Sequence, residues 1–283
     1  MIKSHEIRNL LVENREILLN GATNNGICYD GIVDEENYRN IVVLLKETNG
    51  CDANGNLPEN LEDWDYCNWL KEQQAENKPE ERINKNGEKY TETNVFYPST
   101  FRKLCYWLSL LCDTLDNEKV NPEKFMKDGK VDVEKVRTIL KSVAVVNLKK
   151  TWGNKNTDRG ELVRYVLNEE IREVLVKQMD ALNPQVVLCC SPDVFNLATL
   201  TYAEDWNIPY TVPSKTMPGK DICLVYMNGA IYIDFYHPQY YGKTDEQFSA
   251  YAVEVFEHTK AFMTQAPETY EKVKKEMMER GFM

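Results

Sequence analysis

The sequence predicts an α/β protein, a three-layer α/β/α sandwich with a central, mainly four-stranded parallel sheet. Three observations predict it. Short apolar runs rich in β-branched residues recur along the chain, as expected of strands buried on both faces. Segments of helical period separate them. The runs also end in polar clusters rather than tight turns, which suits crossover connections.

The first amphipathic segment is residues 4–19, with Ile7, Leu10, Leu11, Ile17 and Leu18 on one side. Asn20-Gly21 closes it. Residues 22–33 read as a polar, glycine-containing loop. Ile41-Val42-Val43-Leu44-Leu45 is the first strand, followed by Lys46-Glu47-Thr48-Asn49-Gly50. Residues 51–95 are rich in Asn, Glu, Lys and Gly and read as an insertion, with one short helix at 60–76 and a mobile tip at 77–90. A connection this long is usually functional or disordered. Trp64 and Trp69 are expected to pack the insertion.

Helical periodicity returns at Ser99–Leu115, with Leu104, Trp107, Leu108 and Leu111 aligned, and again at 132–140. Val143-Ala144-Val145-Val146 is the second strand and ends at Asn147. A long helix is expected over 159–180, broken at Asn183-Pro184. Gln185-Val186-Val187-Leu188-Cys189-Cys190 is the third strand. Ser191-Pro192 then opens a helix, with Ser191 as its cap and Pro192 in its first turn. Two further runs flank Asn228-Gly229, a strong hairpin signal. The second of them, 230–235, ends at Tyr236-His237-Pro238. Two helices, at 244–263 and 267–280, complete one domain spanning 1–283.

The 283 residues are 42% hydrophobic and 28% charged, which places the chain among ordinary globular proteins. No stretch reaches the roughly 20 apolar residues needed to cross a bilayer. The first residues carry no apolar signal core, so a cytoplasmic protein without membrane contact is expected. The eight cysteines include no Cys-x-x-Cys pair. They read as buried thiols of a reducing compartment, with no metal and no cofactor. A net charge of −11 argues against broad polyanion binding but leaves room for a local basic patch.

Ligands of parallel sheets bind beyond the carboxyl ends of the strands. The polar residues there are Glu47, Thr48 and Asn49, then Asn147, Ser191 and His237. An amide can read a nucleobase edge, a histidine N–H can face a developing anion, and a carboxylate can orient water. Together they suit cleavage of a bond to a heterocyclic leaving group.

Five segments resemble the uracil-DNA glycosylase superfamily, over roughly residues 38–263 without the insertion. Lys46-Glu47-Thr48-Asn49-Gly50 stands where the thermostable bacterial and archaeal branch has a Gly-Glu-Ala-Pro-Gly type loop. Phe96-Tyr97-Pro98-Ser99-Thr100-Phe101-Arg102-Lys103-Leu104 is similar to its base-stacking Phe segment before a helix. Val145-Val146-Asn147-Leu148-Lys149-Lys150 resembles the strand ending in a base-reading Asn. Leu182-Asn183-Pro184-Gln185-Val186-Val187 resembles the Pro-led third strand, and Tyr236-His237-Pro238-Gln239 the late His-Pro-Ser motif. The chain departs from the pattern at Lys46, at Thr48-Asn49 and at Gln239. It lacks the iron–sulfur cysteines of that branch.

The resemblance implies a DNA glycosylase that flips out its target base. Its expected substrate is a deaminated base or a phage-modified cytosine, in repair or antiviral defence. By the same resemblance Phe96 stacks on the base, Asn147 reads it with Thr48 and Asn49 nearby, Glu47 positions water or stabilises the sugar cation, and His237 stabilises the leaving base. Tyr240 and Tyr241 are candidate wedges. Lys149, Lys150, Lys155, Arg159 and Lys243 are candidate phosphate contacts, with Ser191 at a helix N-terminus. The expected partner is DNA, bound by a monomer. The alternative is a non-enzymatic nucleotide- or DNA-binding module on the same fold.

Overall fold

The computed structural model describes residues 4–20, 26–49, 61–75, 80–83, 89–92, 99–116, 120–153, 158–203, 207–238 and 245–280. Seven strands form the central sheet: β1 Gly31–Ile32, β2 Ile41–Leu45, β3 Val143–Asn147, β4 Val186–Cys190, β5 Ile208–Pro213, β6 Asp221–Met227 and β7 Ala230–Phe235. Their spatial order is β5-β6-β7-β4-β2-β3-β1. β7, β4, β2 and β3 run parallel to their neighbours within this group. β1 is antiparallel on one edge, and β6 and β5 are antiparallel on the other. The fold is therefore α/β with a mostly parallel central sheet.

Both faces of that sheet are apolar. Val43, Val145 and Leu188 face one core, shared with α1 (Ser99–Leu115) and α2 (Asp245–Glu279). Val42, Val146 and Val187 face the other, shared with the N-terminal helix Ser4–Glu13 and the helices Arg159–Val166, Glu169–Leu182 and Pro192–Tyr202. Each such side chain contributes about 1.5–3 kcal/mol on full burial. The β-branched runs are thus strands because each residue packs on one face or the other.

Several expectations are corrected. The loop expected at 22–33 contains two short strands, Cys28–Tyr29 and Gly31–Ile32, all four residues buried. The tip expected at 77–90 contains an antiparallel pair, Glu80–Ile83 with Lys89–Glu92. The long helix expected over 159–180 is two helices, because the Asn168 side chain accepts from Ile171 N and starts the second. The two C-terminal helices are one, Asp245–Glu279, with Pro267 inside it. Proline removes one helical hydrogen bond, yet Val255, Phe256, Phe262 and Ala266 remain buried up to that point. β5 was not anticipated; its Pro209 and Pro213 are tolerated because it lies on a sheet edge.

The Asn228-Gly229 hairpin forms, with Met227 opposite Ala230. Its two loop residues have φ of 50° and 79°, the positive pair that a two-residue turn of this hand requires. The insertion helix Tyr66–Ala75 is also present. Trp64 packs against Trp69 at 5.2 Å and stacks on Trp152 at 5.2 Å, joining the insertion to the segment after β3. No helix among the described residues is long and apolar enough to cross a membrane.

Candidate functional site

Parallel register brings the strand ends together. Leu45 lies opposite Asn147, Leu44 opposite Cys189, and Cys190 opposite Phe235. The residues that follow therefore share one end of the sheet. β3 lies on one side of β2 and β4 on the other, so the winding reverses at β2. A crevice at such a reversal is the usual ligand position in open α/β sheets.

Glu47 is built into this end. The ladder continues past the strands, with Leu148 N donating to Leu45 O and Lys149 N to Lys46 O, both at 2.9 Å. Lys149 Nζ lies 3.0 Å from Glu47 Oε2 and 2.8 Å from Glu161 Oε1. The Glu47 and Lys149 side chains are only 5% and 3% exposed. Thr48–Asn49 pairs in parallel with Trp152–Gly153, which fixes the backbone on both sides of the carboxylate. Gly153 leaves room for the carboxylate, since a Cβ on it would sit 2.1 Å from Glu47 Cδ. Glu47 Oε1 is buried and has no hydrogen-bond partner among the described residues. A buried carboxylate oxygen left in that state is uncommon and calls for an explanation.

His237 follows β7 and is half-buried. Burial first, and the nearby Lys46 charge second, hold its pKa below the ordinary value of 6.5. At neutral pH it is therefore an uncharged imidazole, which carries a single N–H. Lys46 itself pairs with Asp193 at 3.2 Å, and Arg159 approaches the same carboxylate at 3.4 Å.

Asn147 is buried and faces Asp30, which stands between the two short strands of the first loop. Asp30 Oδ2 accepts from Asn147 N at 2.7 Å and from Asn147 Nδ2 at 3.2 Å. Asp30 Oδ1 accepts from Lys150 Nζ at 2.7 Å and from Gln178 Nε2 at 2.9 Å. Neither the Asp30 nor the Lys150 side chain has any exposure.

Two of the expected phosphate contacts need correction. Lys149 and Lys150 are both buried and ion-paired, so neither ammonium reaches a phosphate at the surface. Arg159, 73% exposed, keeps that possibility. Ser191 Oγ is engaged as a cap, accepting from Val194 N at 3.2 Å. Its φ of 155° is a conformation that non-glycine residues rarely adopt, and such strain concentrates at functional turns. Thr48 Oγ1 donates to Cys28 Sγ at 3.3 Å. Gly50, Phe96, Lys155, Gln239, Tyr240, Tyr241 and Lys243 lie outside the described residues.

Asp30, Gln178, Gly153 and Glu161 were not foreseen. Two had a visible signal. Asp30 is the one carboxylate in Ile27-Cys28-Tyr29-Asp30-Gly31-Ile32-Val33, and Gln178 interrupts the apolar stripe Ile171, Val174, Leu175, Met179, Leu182.

A cleft of about 250 Å³ opens elsewhere, at the sheet edge beside β1, lined in part by His5, Arg8, Tyr29, Asp65 and Lys71. Two of its charges meet each other, with Arg8 3.5 Å from Asp65, and Arg8 also lies 5.1 Å above the Tyr29 ring. Among the described residues it has no unpartnered buried polar side-chain atom, so the strand ends are the stronger candidate. Among the described residues no group of three or more His, Cys, Asp and Glu side chains is placed to hold a metal ion. Comparison with family models, with curated proteins and with solved structures found no match.

Proposed function

We propose that this protein is a DNA glycosylase that draws an abnormal or modified base out of the stack and hydrolyses its N-glycosidic bond. The observation that carries the reading is Glu47: a buried carboxylate at a strand end, held through one oxygen by Lys149, with the other oxygen unpartnered among the described residues. In this reading Oε1 accepts a proton from the attacking water and faces the positive charge that grows on the sugar. The pair with Lys149 keeps the carboxylate from swinging away, and pre-orientation of this kind reduces reorganisation during reaction. His237, uncharged at neutral pH, donates its N–H to the departing base. Asn147 contacts the base edge, and Arg159 is the exposed cation available to the DNA backbone.

The corresponding fold is a three-layer α/β/α sandwich with a four-stranded parallel core, the architecture that the alternation of strands and helices in the sequence predicts. The substrate class is a deaminated base or a phage-modified cytosine, in repair or antiviral defence. Extruding a base costs a few kcal/mol, which favours damaged or weakly paired targets.

The test is release of free base from oligonucleotides carrying uracil, hypoxanthine, xanthine, hydroxymethylcytosine or glucosylated hydroxymethylcytosine. At least one is expected to yield free base, and Glu47→Gln to slow release about 100-fold, a typical loss for an acid–base group. No release from any substrate by the folded protein ends the enzyme reading. Retained DNA binding in that case would favour a non-enzymatic binding module.

A further inference from the structure

The amide of Asn147 is not free to present both its donor and its acceptor. Asp30 receives four donors on two oxygens: the backbone N and Nδ2 of Asn147, Lys150 Nζ and Gln178 Nε2. A carboxylate offers about four acceptor positions, so this one is saturated. The amide orientation follows from chemistry, because turning Asn147 over would set its Oδ1 against the Asp30 carboxylate, two acceptors face to face. The second amide proton is directed at the Cys28 sulfur, with Nδ2 3.9 Å from Sγ. Both N–H groups of Nδ2 are therefore engaged within the protein. Among the described residues no group donates to Asn147 Oδ1.

We infer that Asn147 reads its ligand as a hydrogen-bond acceptor only, so that the site selects bases carrying an N–H donor, an exocyclic amine or a lactam N–H, at the edge presented to it. This rests on the base-excision reading and narrows its substrate class. An amide with both functions free separates a donor–acceptor edge from its reverse. An amide reduced to its carbonyl oxygen accepts cytosine-like and uracil-like edges alike, because each offers one N–H. A base whose edge carries no N–H leaves Oδ1 buried without a partner, which is unfavourable by more than the lost bond alone.

The inference is tested by equilibrium binding of the full chain to short single-stranded oligonucleotides. One series carries cytosine, uracil or 2-pyrimidinone, and a second carries their 5-hydroxymethyl derivatives. A third carries adenine, hypoxanthine or unsubstituted purine. 2-Pyrimidinone and purine delete the N–H without adding bulk. In at least one series the N–H members are expected to bind at least 10-fold tighter than the member lacking it. Asn147→Ala should reduce that ratio to within about twofold while leaving Asp30 its contacts with Lys150, Gln178 and the backbone. Equal binding within every series, or a ratio that survives in Asn147→Ala, overturns the inference. Donor-dependent binding without base release would defeat the glycosylase reading and leave the acceptor-only reading standing.

Discussion

Lys149 and Lys150 are neighbours in sequence, and both are buried, yet they serve opposite kinds of environment. Lys150 meets Asp30 in a closed network where every oxygen of the carboxylate has two donors. Lys149 meets Glu47, whose second oxygen has no hydrogen-bond partner among the described residues. The chain bends at Leu148 and Lys149 after β3 ends, and the two lysine side chains go to different carboxylates. Full saturation marks a charge whose task is to hold structure. Incomplete saturation at the end of a parallel sheet marks a charge poised for something outside the chain. Burial alone does not separate the two. Asp234, on β7, resembles Glu47, with Oδ2 held by Lys220 and Oδ1 without a partner among the described residues.

The comparison is broken most directly at Asp30. Asp30→Ala strands the Lys150 ammonium without exposure or counter-charge and takes the carboxylate away from three amide donors, Asn147 N, Asn147 Nδ2 and Gln178 Nε2. A buried pair cut on one side typically loses about 3–5 kcal/mol. Urea unfolding should register that loss, and adding Lys150→Met should restore part of it. If Asp30→Ala unfolds at the wild-type midpoint, the hub is not a structural anchor and the distinction drawn above collapses.

Gly153 sharpens the other side. Gly153→Ala puts a methyl 2.1 Å from Glu47 Cδ, too close for any real contact, so the carboxylate must move off Lys149. Overpacking of this kind costs about 1–3 kcal/mol. Base release should fall more steeply than stability, because it depends on the displaced oxygen. Equal activity at normal stability would show that the position of Glu47 is unimportant.

Glu254 supplies a calibration outside both regions. It lies on α2 and accepts from Ser214 Oγ, Lys215 N, Thr216 N and Thr216 Oγ1. Those donors outweigh desolvation and depress its pKa to about 2 from an ordinary 4.5. A depressed carboxylate adds stability above its unfolded pKa, and that stability fades as pH falls from about 4.5 through about 2. Glu254→Gln should therefore cost about 1–2 kcal/mol at pH 7, after discounting for solvent screening. The difference from wild type should shrink in melts recorded below pH 4. A difference independent of pH would mean that the clamp acts through packing rather than charge.

The parallel core was legible because its runs are buried on both faces: Ile41-Val42-Val43-Leu44 has no position that tolerates a polar side chain. The hairpin was legible because Asn228-Gly229 specifies its backbone locally. β5 was hidden by Pro209 and Pro213, which read as breakers until its place on the edge is known. Pro267 misled for the same reason, since tertiary burial carries the helix past it. The site divides similarly. Glu47 and His237 could be proposed because they directly follow strands. Asp30 stood out as a lone carboxylate in an apolar run, but its role did not, because that role depends on Asn147, Lys150 and Gln178, which lie 117, 120 and 148 residues away. No local pattern encodes a contact at that separation.

The smallest effect concerns Lys46, which lies beside Glu47 and acts on His237 through charge. Lys46→Met removes the second of the two causes that depress the imidazole pKa and leaves the larger one, burial, in place. The pKa of His237 should therefore rise in the variant yet remain below 6.5, as read by NMR titration of the ring protons. The sign carries to stability. A depressed histidine contributes stability that is present above its unfolded pKa and is lost as pH falls through its folded pKa. The variant should lose less on acidification than wild type, offset by about 0–1 kcal/mol for the broken pair with Asp193. In the proposed mechanism, any acid limb of base release that reports His237 should move to higher pH in step. A titration curve that does not move would separate Lys46 from His237, and with it the link between the first strand end and the last.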